Sequence, residues 1–136
     1  MIKRANQKKK KGFSLIELII VLAVMAIIAL IAIPNFTAVR NNSKVKADKQ
    51  SCETIKRTVL MLTADDSVNV TADTSVEFTT SVTSPAADTN GLTADEIALI
   101  NEALAEVKAP QEGTKTKYTF TIKADGTVTD PVTAGN

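Results

Sequence analysis

A single carboxylate, Glu17, lies in an apolar run over residues 13–33 whose other polar member is Ser14. A charged side chain in a bilayer-length apolar segment costs roughly 2.5–3.5 kcal/mol on insertion scales. Such a group needs a partner, so Glu17 is the first candidate functional residue. The other familiar chemistries are missing from the sequence. The chain has no histidine and one cysteine, and neither a glycine-rich phosphate loop nor a Cys/His metal spacing occurs. No catalytic residue, metal set or cofactor is therefore assigned. The acids Asp65, Asp66, Asp73 and Asp88 show no ordered calcium-ligand spacing and read as solvated surface.

The element that positions Glu17 is a helix. Residues 18–33 contain no polar side chain. At ~1.5 Å per residue, the 21 residues of the run span roughly 31 Å, about one hydrocarbon core. An ordinary signal peptide has a shorter apolar region, and Ala29, Ala32 and Ala38 give only a weak cleavage signal. The leader carries Lys3, Arg4, Lys8, Lys9, Lys10 and Lys11 and no acid. Positive flanks stay cytoplasmic, so the N-terminus is expected inside and everything after Pro34 outside.

The net charge of +1 conceals a polarity. Residues 34–63 hold six cations and two acids, whereas residues 64–136 hold four lysines and twelve acids. A distal part at −8 disfavours nucleic acid as its partner, because phosphate contacts need cations.

Lys11-Gly12-Phe13-Ser14-Leu15-Ile16-Glu17, followed by the unbroken apolar helix, resembles the N-terminus of type IV pilins and pseudopilins. The resemblance covers about 25 of 136 residues. It implies cleavage between Gly12 and Phe13 by a membrane-embedded prepilin peptidase, N-methylation of Phe13, and an assembly role for Glu17. Pro34 matches the proline often found at this depth in the family's helix. The implied partners are the peptidase/methyltransferase, identical or related pilin subunits, an inner-membrane assembly platform, and membrane lipid before assembly. The implied location is a single-pass membrane protein with the head outside, later an extracellular filament.

Elementary electrostatics fits that implication. After such a cut, Glu17 lies one helical turn from a free Phe13 α-amine. It could pair with its own amine, with the amine of an axially offset neighbour, or snorkel to the headgroups. Either pairing reduces the desolvation cost, and the second sets a register between helices.

Pro34 cannot donate to the carbonyl of Leu30 and crowds that turn, so the helix kinks or stops there. Val45, Cys52, Ile55, Val59 and Leu62 form one helical stripe, which argues for continuation. The expectation is one helix over about residues 13–62, membrane- or bundle-facing first and then amphipathic and docked on a head. Cys52 lies on the stripe and reads as a small buried hydrophobe; it has no partner for an internal disulfide. The head therefore relies on packing against the helix rather than on the disulfide staple of many pilins.

In the head, Asp65-Asp66 ends the long helix, and residues 67–83 read as one or two short strands around Val76 and Phe78. Residues 84–91 read as a loop. Thr93-Ala94-Asp95-Glu96 is a capping box opening a helix through Val107, with Ile97, Ile100, Leu104 and Val107 on one face. Residues 117–123 read as a strand with Tyr118, Phe120 and Ile122 on one face. Asp125-Gly126 predicts a hairpin turn with Thr127-Val128-Thr129 returning, and residues 132–136 read as a frayed tail.

The fold class expected is α+β: a long N-terminal helix packed on a small head with an antiparallel sheet and one short helix. The organisation expected is a removed leader (1–12), a transmembrane or filament-core helix (13–33), an amphipathic stem (34–63) and an extracytoplasmic head (64–136). The function expected is a non-enzymatic pilin subunit that polymerises into a surface filament for adhesion, motility or DNA uptake. The alternatives are a pseudopilin of a secretion or competence system, and a membrane-anchored binding module that shares only the processing signal.

Overall fold

The computed structural model describes residues 11–79, 82–85 and 91–135, with backbone alone for 82–85. Element order is α1 (Leu15–Ala64), β1 (Thr74–Thr79), β2 (Val82–Pro85), α2 (Ala94–Ala103), β3 (Lys115–Ile122) and β4 (Val132–Gly135). The α+β expectation holds. Packing divides the chain into two units, one up to Val39 and one from Arg40 onward.

In the first unit, α1 exposes its apolar side chains in every direction, including Leu18, Ile19, Leu22, Ile28 and Ile31. This segment is long and apolar enough to cross a membrane, with mean hydropathy 3.2 in its best window. The helix continues past Pro34, whose carbonyl accepts from Thr37 Oγ1 at 2.8 Å.

The second unit begins with the distal part of α1. Its apolar stripe docks as expected: Ile55 and Val59 are fully buried, and Cys52 and Leu62 pack against the core from its margin. Removing two such side chains from water contributes about 1.5–3 kcal/mol each. α1 runs two residues beyond the expected end, and Asp66 in the left-handed region (φ 59°) follows its last turn.

The sheet is four-stranded and antiparallel in the order β2-β1-β3-β4. In β1, Val76 pairs with Phe120 and Phe78 with Tyr118, so the alternation read from the sequence supplies the core face. The Phe78 and Tyr118 rings stack at 6.5 Å. Ile100 of α2 and Leu104 just past its end close the core, both fully buried.

Four local expectations are corrected. Ser84 and Pro85 belong to β2 rather than to a loop; a proline is tolerated there because β2 is an edge strand. Residues 67–73 form no strand, and residues 86–90 of the expected loop lie outside the described residues. α2 ends at Ala103, not Val107. The chain then tightens, with Val107 N donating to Leu104 O at 3.0 Å, and Leu104 and Val107 stay buried without helix. Residues 132–135 are not frayed: β4 pairs with β3 from Lys115↔Gly135 to Thr119↔Val132. Valine-threonine-alanine-glycine carries little strand signal of its own; the open edge of β3 supplies the backbone partners.

The Asp125-Gly126 turn is present. Gly126 N donates to Lys123 O at 2.9 Å, and Gly126 takes φ 82°, which glycine adopts freely. The return is shorter than a strand: one bridge, Ile122↔Val128, and Thr129 N donating to Thr121 O at 2.9 Å.

Candidate functional site

The start of α1 positions the three N-terminal candidates. Gly12 and Phe13 precede the helix, and Phe13 is 94 % exposed. A Cβ built at Gly12 would meet nothing within 4 Å. The fold therefore makes no demand for glycine at this position, and any requirement for it lies in what binds the extended backbone.

Ser14 is the residue before α1, and Glu17 is the third helical residue. Ser14 N donates to Glu17 Oε2 at 2.9 Å, and Glu17 N donates to Ser14 Oγ at 3.4 Å. This reciprocal pair is a capping box, which satisfies two amides that the helix itself leaves free. Glu17 thus has a partner inside one chain, and it is neither of the amines weighed from the sequence. The signal was available as Ser-x-x-Glu ahead of an apolar run. Both groups are exposed, so a second partner can reach the carboxylate.

Asp48 is the functional-looking residue that the sequence reading passed over. It is 3 % exposed and lies on the buried side of α1. Its two oxygens accept from the backbone N–H groups of Gln111 (2.8 Å) and Glu112 (2.9 Å). One carboxylate thereby clasps the loop before β3 onto the stem. Its signal in the sequence was its place three residues after Val45 and four before Cys52, on the apolar stripe itself.

Cys52 lies one turn beyond Asp48, half-buried. Burial first, then the Asp48 carboxylate, pushes its thiol pKa up. A thiol so held stays protonated and is a poor nucleophile. Tyr118 donates its hydroxyl to Lys108 O at 2.8 Å, and burial raises its pKa as well. Both groups serve packing rather than chemistry.

Glu96 closes the capping box read from the sequence. It accepts from Thr93 N (2.7 Å), Thr93 Oγ1 (2.8 Å) and Asn69 N (2.8 Å). Partial burial opposes its charge, yet the bonds from Thr93 and Asn69 prevail and lower its pKa. A depressed carboxylate pKa adds stability above the unfolded pKa and loses it as pH falls through the folded one. Glu96→Ala is expected to lower head stability by about 1–2 kcal/mol near pH 7. The difference from wild type should shrink as pH falls below the ordinary carboxylate range, as urea titrations across pH would show.

Among the described residues no group of three or more Cys, Asp or Glu is arranged to hold a metal ion. Asp65 accepts from Ser67 N at 3.0 Å and Asp73 from Ala124 N at 3.1 Å; Asp88 lies outside the described residues.

Comparison with known proteins bears on this N-terminal site. Residues 7–33 match the prokaryotic N-terminal methylation motif. That match spans the Gly12-Phe13 junction and Glu17. Over 75 residues it is 41 % identical to prepilin peptidase-dependent protein A of Clostridium perfringens (strain 13 / Type A). That match covers 55 % of this chain and 53 % of the relative, so the chain spans about half the length of the curated protein it matches. No solved structure matches the chain at a significant level.

Proposed function

We propose that the chain is a prepilin, cut between Gly12 and Phe13, methylated on the Phe13 amine, held as a single-pass membrane subunit and polymerised into a surface filament. The observation that carries this reading is the coincidence of an accessible Gly12-Phe13 junction with a helix that exposes apolar side chains all around and holds Glu17 as its sole charge through Ile33. The methylation motif and the peptidase-dependent relative support the processing step. The proposed orientation is N-terminus in the cytoplasm and head outside, set by the six leader cations. The chain is read as a building block rather than an enzyme. Its apolar helix exchanges lipid for the helices of identical or related subunits on an assembly platform.

Within that scheme Glu17 has two successive partners. In the isolated subunit the carboxylate caps its own helix through Ser14. In the filament it would accept the Phe13 amine of a neighbour, a stronger charge-assisted bond in a dry surrounding. Pro34 interrupts the ladder at Leu30 and is the proposed point at which the helix yields on packing.

Mass spectrometry of the membrane and sheared surface fractions tests the reading. The expected mature chain begins at Phe13 with a methylated amine. A mature N-terminus beyond Ala29 would assign the cut to an ordinary signal peptidase. Gly12→Val extends the test: the fold has room for the side chain, so the variant should accumulate uncut yet fully folded. Normal cutting of that variant would refute the assigned junction.

A further inference from the structure

Most described acids of the second unit are engaged. Asp48, Asp65, Asp73, Glu96 and Asp125 accept from backbone amides. Glu53, Glu77, Glu112 and Asp130 pair with cations of the same chain. Among the described residues, the side chains of Asp66, Asp95, Glu102 and Glu106 are left without a hydrogen bond or ion pair. Three of these four fall on α2 and the turn after it. Asp95 and Glu102 are two turns apart on one face of α2, with Leu99 between them, and exposed Glu106 follows in the turn after it. Ile100 and Leu104, on the opposite side, are fully buried, so the acidic stripe points away from the core. Leu99 at its centre is 40 % exposed.

α1 carries the complement. Lys46 and Lys49 are exposed and, among the described residues, unpaired. They continue along one face into the Glu53–Arg57 pair and Leu60, which is 41 % exposed. Ile55 and Val59 define the buried side of this helix, and Lys46, Lys49 and Leu60 lie away from it. The two stripes therefore both turn outward from the core they share. A single chain cannot join them without unfolding; two copies can.

We propose that the stripe Asp95–Leu99–Glu102–Glu106 docks on the outward face of a neighbouring copy's stem at Lys46, Lys49 and Leu60. The occupant is a second copy because the same chain supplies both charges and an exposed leucine on each side. The two faces differ, so the contact is head-to-tail. Repetition of such a contact closes a ring or continues as a helix. This interface deepens the filament reading and rests on it, since it gives the polymer a second contact outside the apolar helices. Its charges set register and rate of encounter more than raw affinity.

The test uses the full chain in cells that assemble it. A zero-length carboxyl–amine cross-linker is expected to join Lys46 or Lys49 peptides to Asp95, Glu102 or Glu106 peptides within a dimer-sized band. Lys46→Glu with Lys49→Glu, or Asp95→Lys with Glu102→Lys, should each cut sheared filament about tenfold. The four changes together should restore it, which also shows that the changed subunits fold. Multimers whose cross-links lie elsewhere, or filaments indifferent to either double reversal, would overturn the interface and leave the filament reading standing. A chain that forms no multimer under any condition would overturn both.

Discussion

Glu17→Ala is expected to give a processed, membrane-held, folded subunit that is missing from sheared filaments. The substitution removes the sole charge between Phe13 and Ile33, so membrane insertion becomes easier by roughly 2–3 kcal/mol. The head should be unaffected, because among the described residues the Glu17 side chain is hydrogen-bonded to Ser14 alone. In the filament, however, a neighbour's Phe13 amine would be buried without its counter-charge, at a cost of about 3–5 kcal/mol. That corresponds to a loss of filament of two orders of magnitude or more. Ser14→Ala separates the two roles of the carboxylate. It removes the hydroxyl half of the capping box, costs about 1 kcal/mol of local helix stability, and leaves Glu17 charged. Filament yield should therefore stay within a few-fold of wild type for Ser14→Ala and collapse for Glu17→Ala. Equal collapse in both would assign Glu17 to helix capping. Wild-type yield from Glu17→Ala, with no wild-type subunit present, would remove it from assembly altogether.

Asp48→Ala is expected to destabilise the second unit strongly. It deprives the backbone N–H groups of Gln111 and Glu112 of the buried Asp48 carboxylate that each now bonds, in part-buried hydrogen bonds. Hydrogen bonds to a charged acceptor contribute about 1.5–3 kcal/mol each, so a loss of roughly 3–4 kcal/mol follows. For a unit of this size that lowers Tm by about 15–25 °C. Asp48→Asn keeps one acceptor oxygen and turns an NH2 toward the second amide, so its loss should be smaller, about 2 kcal/mol. Thermal melts of the full chain in detergent read both. Processing at Gly12 should be unchanged in either variant. A melt within 3 °C of wild type for Asp48→Ala would show that water replaces the carboxylate and that the clasp contributes little.

The residues differ in how far the sequence revealed them. The distal stripe of α1 and the alternation in β1 and β3 were legible because burial imposes periods of 3.6 and 2 on the sequence. The Thr93 box was legible because its chemistry is local. The same local pattern at Ser14–Glu17 was hidden by the apolar surroundings, which drew attention to the charge and not to the cap. Asp48 was hidden for a different reason. Its partners lie 63 and 64 residues away, and no local rule connects a stem carboxylate to a loop amide. β4 was misread as a tail because its pairing comes from the free edge of β3, not from its own residue types. The early end of α2 reflects the same competition: tertiary burial of Leu104 and Val107 proceeds equally well through a turn.

In the proposed filament tension would reach the head, and the Asp48 clasp would give that load a route. The two amides it holds precede β3, which lies between β1 and β4 inside the sheet. Lys56 adds a second tie, to Asp130 just ahead of β4. A pull applied to the sheet would thus enter α1 through a carboxylate–amide clasp and one ion pair as well as through the packed side chains of Ile55 and Val59. Straps of this kind are stiff over a fraction of an ångström and then fail abruptly, whereas apolar contacts slide. The head should accordingly resist sudden force better than its modest size and melting behaviour indicate.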